Sequence, residues 1–289
     1  MNVGLGLPIS DPSVLFEWAR KADAGPFSTL ALLDRLVYDN PEPLVTLAAI
    51  AGAVSRVRVQ TEVLLAPLRQ PALMAKQAAT LDRLSGGRLT LGIGLGARRD
   101  DYKAAGIDLH GRGARLDQIM EDMCRIWRGE PYAEGIGPIG PAPARPGGPQ
   151  ILFGGFKPAA IQRIVRLGDG LLCASPLADM DGLFRATEQA WRSGGRTGRP
   201  KLVAQLNAAL GPDSTIEEAR GHIRRYYSGP EYTELPADYT DMAVRRMLTT
   251  SDQVRDAVNR VTDIGADEII FYCWSPDTAQ IDRFAETLT

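Results

Sequence analysis

The chain has 289 residues, of which 44% are hydrophobic, and its 33 basic and 35 acidic side chains leave a formal charge of −2. This balance argues against nucleic acid as the main partner, because phosphate neutralisation needs a basic face. No apolar run reaches the ~18 residues of a membrane span, and the first residues lack the basic start of a secretory signal. Three isolated cysteines and two histidines argue against a disulfide framework and a metal site, so we expect a cytoplasmic protein with one large core.

Strand and helix patterns alternate along the chain. In chain order, the predicted strands cover residues 3–7, 28–33, 57–65, 89–94, 151–153, 171–174, 201–210 and 268–272. The predicted helices cover residues 13–24, 41–53, 71–84, 112–128, 159–167, 181–192, 215–227, 251–264 and 279–288. We expect the helix over 215–227 to begin at a Ser214/Thr215 cap. The glycine- and proline-rich residues 129–149 are predicted to form a loop.

Eight strand–helix units of this length predict an α/β fold, a single (β/α)8 TIM barrel over residues 1–289. Residues 228–250 form an insert before the eighth strand, either irregular or helical. The alternative is an open doubly wound sheet. Its phosphate-binding fingerprint belongs after the first strand, where this sequence reads Pro8-Ile9-Ser10-Asp11.

In such a barrel the active site lies at the carboxyl ends of the strands. The third strand alternates, so its odd positions from Val57 to Val63 are expected to face the helices. Its even positions from Arg58 to Leu64 then face the barrel interior. Glu62 would point inward near the mouth, where it either bonds a cofactor or substrate or pairs with an interior arginine.

Two glycine-rich segments follow strands. Gly92, Gly94 and Gly96 either let a flat ligand approach the backbone or serve close packing. The turn from Gly154 to Lys157 leads into a helix, and N–H groups at a helix start bind phosphate, with Lys157 adding a positive charge. A Gly-Gly turn before a helix also occurs with no ligand.

The dipeptide Asp34-Arg35 follows the second strand. It is either a catalytic acid beside a cation or an ordinary surface ion pair. The residues alone do not choose between these two interpretations.

One long segment, PLRQPALMAKQAATLDRLSGGRLTLGIGLG over residues 67–96, resembles the luciferase-like flavin-dependent oxidoreductases. That superfamily includes bacterial luciferase, flavin monooxygenases and deazaflavin-dependent dehydrogenases. Similar segments follow in the same order over nearly the whole chain, at residues 55–69, 111–123, 150–170 and 249–271.

The resemblance implies an enzyme with a (β/α) barrel, usually a homodimer, that binds reduced flavin at the carboxyl-end mouth. It implies a cis non-prolyl bond at Thr61-Glu62 that backs the flavin ring, and a ring seated against Gly94 and Gly96. Polar flavin contacts are then expected from the residues after the fourth strand, and the phosphate from the turn after the fifth. These expected contacts are Arg98, Arg99 and Asp101, and Gly154, Gly155, Phe156 and Lys157.

The chain departs from the family after the second strand, where the family commonly has Asp-His and this chain has Asp34-Arg35. Base chemistry there is in doubt, and Arg35 would instead hold an anionic substrate or peroxide. The tyrosines in or beside the insert form either a substrate lid or exposed helix aromatics. They are Tyr226, Tyr227, Tyr232 and Tyr239.

Three functions remain open from the resemblance. The first is a monooxygenase that uses reduced FMN, delivered by a separate reductase, and O2 on a small organic substrate, with Asp34, Arg35 and Glu62 as the catalytic candidates. The second is hydride transfer with a reduced deazaflavin coenzyme on the same scaffold. The third is a flavin-binding partner protein without catalysis. We expect a homodimer through the helices that flank strands two and three.

Overall fold

The computed structural model describes residues 1–8, 11–229, 231–232 and 235–289. Within them, eight parallel strands close a barrel in the order β1, β10, β9, β8, β7, β4, β3, β2. The barrel strands are β1 (Asn2–Gly6), β2 (Thr29–Leu32), β3 (Arg58–Leu65), β4 (Leu89–Gly94), β7 (Gln150–Gly154), β8 (Gly170–Cys173), β9 (Lys201–Ala208) and β10 (Glu268–Cys273). The predicted (β/α)8 barrel is therefore confirmed.

Helices pack around the barrel. In chain order they are α1 (Leu15–Ala24), α2 (Pro43–Ala53), α3 (Pro71–Leu84), α4 (Arg99–Ala104), α5 (Arg112–Trp127), α6 (Pro158–Leu167), α7 (Leu177–Ser193), α8 (Asp213–Tyr227), α9 (Tyr239–Arg245), α10 (Ser251–Asp263) and α11 (Ala279–Leu288). Local chemistry sets several of these starts. Gln70 caps α3 just before Pro71, and Thr250 and Gln253 form a capping box on α10. None of the helices in the described part of the chain is long and apolar enough to cross a membrane.

Two local predictions are wrong, and one short helix was not predicted. Residues 129–149 contain a small antiparallel ribbon of β5 (Pro131–Ala133) and β6 (Ile136–Pro138), so this segment is not loop throughout. Helix α8 begins at Asp213 without a side-chain cap, because Ser214 and Thr215 lie within its first turn. The short helix α4 was not predicted.

The insert over residues 228–250 contains helix α9 and an isolated bridge between Tyr232 and Arg98. Its residues 230, 233 and 234 lie outside the described part. The helical alternative for this segment is thus the better one.

Apolar side chains fill two layers. The outer layer lies between strands and helices, whereas a smaller cluster from alternate strand positions fills the barrel interior. On β3 the predicted alternation holds only to Glu62. Val63 packs against the inner cluster and Leu64 joins the outer layer, the reverse of the prediction. The pairing of β3 with β4 shifts register between Thr61 and Leu64, which moves the later side chains to the opposite face.

Candidate active site

A cavity of about 400 Å³ opens at the carboxyl ends of the barrel strands. Its walls are mostly apolar, with polar groups at a few positions, as in many small-molecule sites. Eleven sequence-predicted residues line it: Asp34, Arg35, Glu62, Gly94, Gly96, Arg98, Asp101, Gly154, Gly155, Phe156 and Lys157.

Glu62 is one of the buried carboxyl groups of this cavity. Gln60 donates an Nε2 proton to Glu62 Oε2 at 3.1 Å, and Glu62 Oε1 has no hydrogen-bond partner among the described residues. Burial raises the pKa of Glu62 to about 8, and the negative charge of Glu268 acts in the same direction. Glu62 therefore has no arginine partner among the described residues, and its burial favours the protonated form at neutral pH.

The cis non-prolyl peptide bond joins Glu62 to Val63. The prediction placed it one bond earlier, at Thr61-Glu62, and is wrong by that one residue. The bond still lies at the end of β3, and both Glu62 and Val63 line the cavity.

Asp34 and Arg35 are both buried and do not form a surface ion pair. Arg69 donates to Asp34 Oδ2 at 2.9 Å, and the Leu65 N–H donates to the same oxygen at 3.0 Å. Burial raises the pKa of Asp34 despite the opposing charge of Arg69. Asp34 thus connects the segment that follows β2 to the end of β3 and the segment after it.

Arg35 donates its Nε proton to Asp101 Oδ2 at 2.7 Å. Asp101 Oδ1 also accepts from the N–H groups of Leu36 and Val37, at 3.1 and 2.6 Å. Arg35 is therefore held by Asp101 at the cavity wall. The predicted flavin-contacting residue Asp101 organises the loop that follows β2.

Two predicted site residues lie away from the cavity. Thr61 is fully buried, and its hydroxyl donates to the carbonyl oxygen of Gly92 at 2.8 Å. Arg99 is exposed at the start of α4 and is not a lining residue. Its neighbour Arg98 lines the cavity instead and binds Asp100 through two nitrogens.

The glycines have packing partners of their own. A side chain at Gly94 would overlap Val63, and one at Gly154 would lie 3.0 Å from Val63 Cγ1. Gly155 has a φ of +148°, and a Cβ there would lie 2.7 Å from Ala160 Cβ. Close packing around Val63 thus accounts for Gly94. Because Gly94 and Gly154 have no side chains, they also leave space at the rim of the cavity.

Aromatic rings from α8 and the insert close one side of the cavity. Tyr226 and Tyr227 have ring centroids 4.9 Å apart, and Tyr226 lies 5.1 Å from Trp274. The Arg35 guanidinium lies 5.3 Å from the Tyr226 ring and 5.8 Å from that of Tyr232. These rings are packed against each other, so the prediction of exposed helix aromatics is wrong.

Several lining residues were not identified as site residues from the sequence. Tyr272 and Gln205 point into the cavity from β10 and β9, and Arg112 and Arg163 reach it from α5 and α6. The sequence does indicate Tyr272, because it lies two residues after the inward-facing Ile270 and so on the same face of β10. No such pattern indicates the arginines, since helix periodicity alone does not tell which end faces the mouth.

The family model described as luciferase-like monooxygenase matches residues 4–286. The chain belongs to this family. The resemblance to the luciferase-like family that the sequence segments indicate is thereby confirmed. The cavity just described lies where the family resemblance places the flavin.

Among its relatives, an uncharacterised protein of Mycobacterium tuberculosis is 30% identical over 170 residues. That match covers 56% of this chain and spans only 60% of the relative's length. An F420-dependent glucose-6-phosphate dehydrogenase of Segniliparus rotundus is 26% identical, over 96% of this chain and 91% of that protein. The crystal structure of the monooxygenase RslO1 from Streptomyces bottropensis shares the fold, with a TM-score of 0.80 and 22% identity over 100% of this chain and 98% of that one.

Proposed function

We propose that this protein is a flavin-dependent monooxygenase that uses reduced FMN and O2 on a small organic substrate. The observation that carries the proposal is the apolar cavity at the strand ends, with the buried carboxyl of Glu62 in its wall. Reduced FMN supplies the electrons for oxygen activation when it is bound. The protein's part is to bind, orient and exclude water.

The residues present fit a flavin. The cavity wall carries one buried oxygen without a partner, Glu62 Oε1, which a polar edge of a flat ligand would satisfy. Gly94 and Gly96 leave the backbone of β4 accessible at the rim. Gly154, Gly155 and Phe156 lie before α6, with Lys157 at its N-cap, so an incoming phosphate would meet the positive end of this helix.

Side chains of this protein fix the loops around the cavity and shield it from water. The Arg35–Asp101 pair fixes the loop after β2, and Arg98 donates to the Ser228 carbonyl at 3.2 Å, which ties the insert to the start of α4. Tyr226, Tyr227 and Tyr232 then cover the side that faces solvent. We propose that they form the substrate lid.

A reduced deazaflavin coenzyme is the second candidate cofactor. The Segniliparus relative, which uses F420, matches over 96% of this chain. The long anionic tail of such a coenzyme needs cations, and Lys157, Arg112 and Arg163 all line the cavity. The reaction would then be hydride transfer without oxygen.

Anaerobic calorimetric titration of the full chain tests the proposal. We expect reduced FMN to bind with micromolar-scale affinity or better. Lys157→Ala is expected to weaken FMN about tenfold while leaving riboflavin unchanged, because riboflavin lacks the phosphate. A flat titration with reduced FMN, together with tight binding of reduced deazaflavin, would select the second candidate.

The remaining proposals concern partners. We propose a separate flavin reductase, a homodimer and a cytoplasmic location, the last supported by three free cysteines. A non-catalytic flavin-binding role is the alternative to enzymatic activity. Turnover of any aldehyde, sulfonate or aromatic substrate by the isolated protein would remove that alternative.

A further inference from the structure

The guanidinium of Arg35 has a hydrogen-bond partner at each of its nitrogen atoms. Nε donates to Asp101 Oδ2 at 2.7 Å, Nη1 to the hydroxyl oxygen of Tyr232 at 3.2 Å, and Nη2 to the carbonyl oxygen of Val37 at 3.2 Å. These partners belong to helix α4, to the insert over residues 228–250 and to the loop after β2. Arg35 therefore joins three separate segments of the chain beside the cavity.

The burial of Arg35 depends on these contacts. The side chains of Arg35 and Asp101 are 4% and 2% exposed. A charge that is removed from water is costly unless it is paired and its remaining donors have acceptors. Asp101 supplies the opposite charge, and the insert supplies the acceptor for Nη1 through Tyr232. Displacement of the insert would therefore return part of this buried ion pair to water.

Tyr232 contacts two arginines and the end of α8. Its ring centroid lies 4.6 Å from the guanidinium carbon of Arg98 and 5.8 Å from that of Arg35. Its hydroxyl accepts from Arg35 and donates to the carbonyl oxygen of Tyr226 at 3.4 Å. Both hydrogen-bonding functions of this hydroxyl are thus used to attach the insert to the barrel.

The two arginines belong to one cluster of alternating charge. Arg98 binds Asp100 through two nitrogens, and Arg35 Nη2 lies 4.0 Å from Asp100 Oδ2. With Asp101 the cluster contains two arginines and two aspartates, so its charges cancel. Both guanidinium groups are therefore positioned by carboxylates of α4, independently of the insert.

We propose that Arg35 is a positioning residue, which holds Tyr232 against the barrel and thereby controls the entry of ligands into the cavity. Tyr232 and Tyr226 both line this cavity, so a displaced Tyr232 widens its opening. Arg35 acts through Tyr232 and not on the reacting atoms. The inference rests on the proposed function only for the identity of the ligand that enters.

Hydrogen exchange of the full chain without cofactor, followed by mass spectrometry, tests this role. Arg35→Lys keeps a positive charge for Asp101 but replaces the planar fork of donors by a single nitrogen. We expect peptides that contain Tyr232 or the start of α4 to exchange about tenfold faster in this variant than in the wild type. Peptides from β8 are expected to keep the wild-type rate, which distinguishes local opening from general destabilisation.

Tyr232→Phe tests the same contact without changing the buried charges. It removes the hydroxyl and keeps the ring, so we expect the same peptides to exchange about threefold faster. Its effect is expected to be smaller when Arg35→Lys is already present, because both substitutions break one hydrogen bond. This variant keeps the inference testable if Arg35→Lys does not fold.

Arg196 provides the matched control. Its guanidinium carbon lies 4.1 Å from the ring centroid of Trp191, and it donates to the carbonyl oxygens of Val165 and Gly168. None of these described residues lines the cavity. Arg196→Lys is therefore expected to leave exchange in the insert unchanged.

Stopped-flow binding of reduced FMN separates positioning from direct contact. A wider opening speeds passage in both directions, so we expect Arg35→Lys to raise the association and dissociation rates about fivefold each, with little change in Kd. Direct contact of Arg35 with FMN would instead raise the dissociation rate alone, and that result would overturn the inference.

Wild-type exchange of the insert in both Arg35→Lys and Tyr232→Phe would also overturn it. Because exchange is measured without cofactor, it is independent of the flavin titration. A flat FMN titration with faster exchange in the variants refutes the proposed function alone. Normal FMN binding with unchanged exchange refutes the role of Arg35 alone.

Discussion

Two ionisable side chains in the cavity wall, Asp34 and Arg35, form ion pairs with residues that are distant in sequence. Arg35 and Asp101 are 66 residues apart, and Asp34 meets Arg69 across 35 residues. The sequence places Asp34, Arg35 and Glu62 correctly at strand ends, because the alternation of elements locates those ends. It does not provide their partners, since these depend on which loops meet above the barrel.

Protonation of Glu62 makes stability depend on pH. The unfolded carboxyl has a pKa of 4.5, and in the folded protein burial raises the pKa to about 8. Between these values only the unfolded state loses the proton, so stability falls as pH rises from about 5 to 8, by up to about 1.4 kcal/mol per pH unit. Above the folded pKa both states are ionised and the loss levels off.

Glu62→Gln removes this titration. Urea unfolding at several pH values is expected to show that the stability of the variant increases relative to the wild type from pH 5 to 8, because only the wild type loses stability through this titration. Gln60, Tyr272 and Glu268 remain in both proteins. Taking the difference between the two curves cancels other titrating groups, including Asp34. A difference that stays constant with pH would contradict a protonated Glu62.

Among the secondary-structure elements, β3 was predicted in part: the strand itself was predicted, but the faces of Val63 and Leu64 were not. Strand β4 and helices α3 and α11 have the predicted bounds, because their hydrophobic residues recur at the spacing of a strand or a helix. No sequence pattern predicts that Val63 faces the barrel interior and Leu64 the helices. This exchange of faces results from a register shift in the pairing of β3 with β4. The ribbon of β5 and β6 escaped prediction because glycine and proline usually indicate loops.

Gly94 is the β4 residue that accommodates this exchange of faces. Gly94→Ala is expected to destabilise the protein by about 1–3 kcal/mol, because the new methyl group overlaps Val63. Denaturant unfolding measures the change. Adding Val63→Ala is expected to recover part of the loss, so that the double substitution costs less than the sum of the single ones.

Gly52 on α2 is the control, because a Cβ there meets nothing within 4 Å. Gly52→Ala is expected to stabilise the helix by about 0.5–1 kcal/mol. Strict additivity of Gly94→Ala and Val63→Ala would refute the packing explanation for Gly94.

For the whole molecule, helix α2 presents an apolar face to the outside. It has apolar residues on nearly every side, whereas a helix on a protein surface usually has a polar face. Val45 is 68% exposed, and Leu73 at the start of the neighbouring α3 is 56% exposed. This face supports the proposed homodimer, because burial against a second copy removes it from water.

Val45→Glu is expected to convert the dimer to monomer, since it places a carboxylate at the centre of that face. Sedimentation velocity measures the change. Ile136→Glu, a similar substitution at an exposed residue of β6, is expected to leave the dimer intact. A wild-type protein that sediments as a monomer, or a Val45→Glu variant that remains dimeric, would rule out this interface.

Trp274 gives the molecule an optical reporter at its centre. Its indole N–H donates to Asn207 at 2.9 Å, and the ring forms part of the cavity wall beside Tyr226 and Tyr272. The chain's other tryptophans, at positions 18, 127 and 191, are buried but do not line this cavity. Intrinsic tryptophan fluorescence, which needs no added dye, should therefore change when a ligand enters the barrel mouth. A Trp274→Phe variant is expected to lose that change.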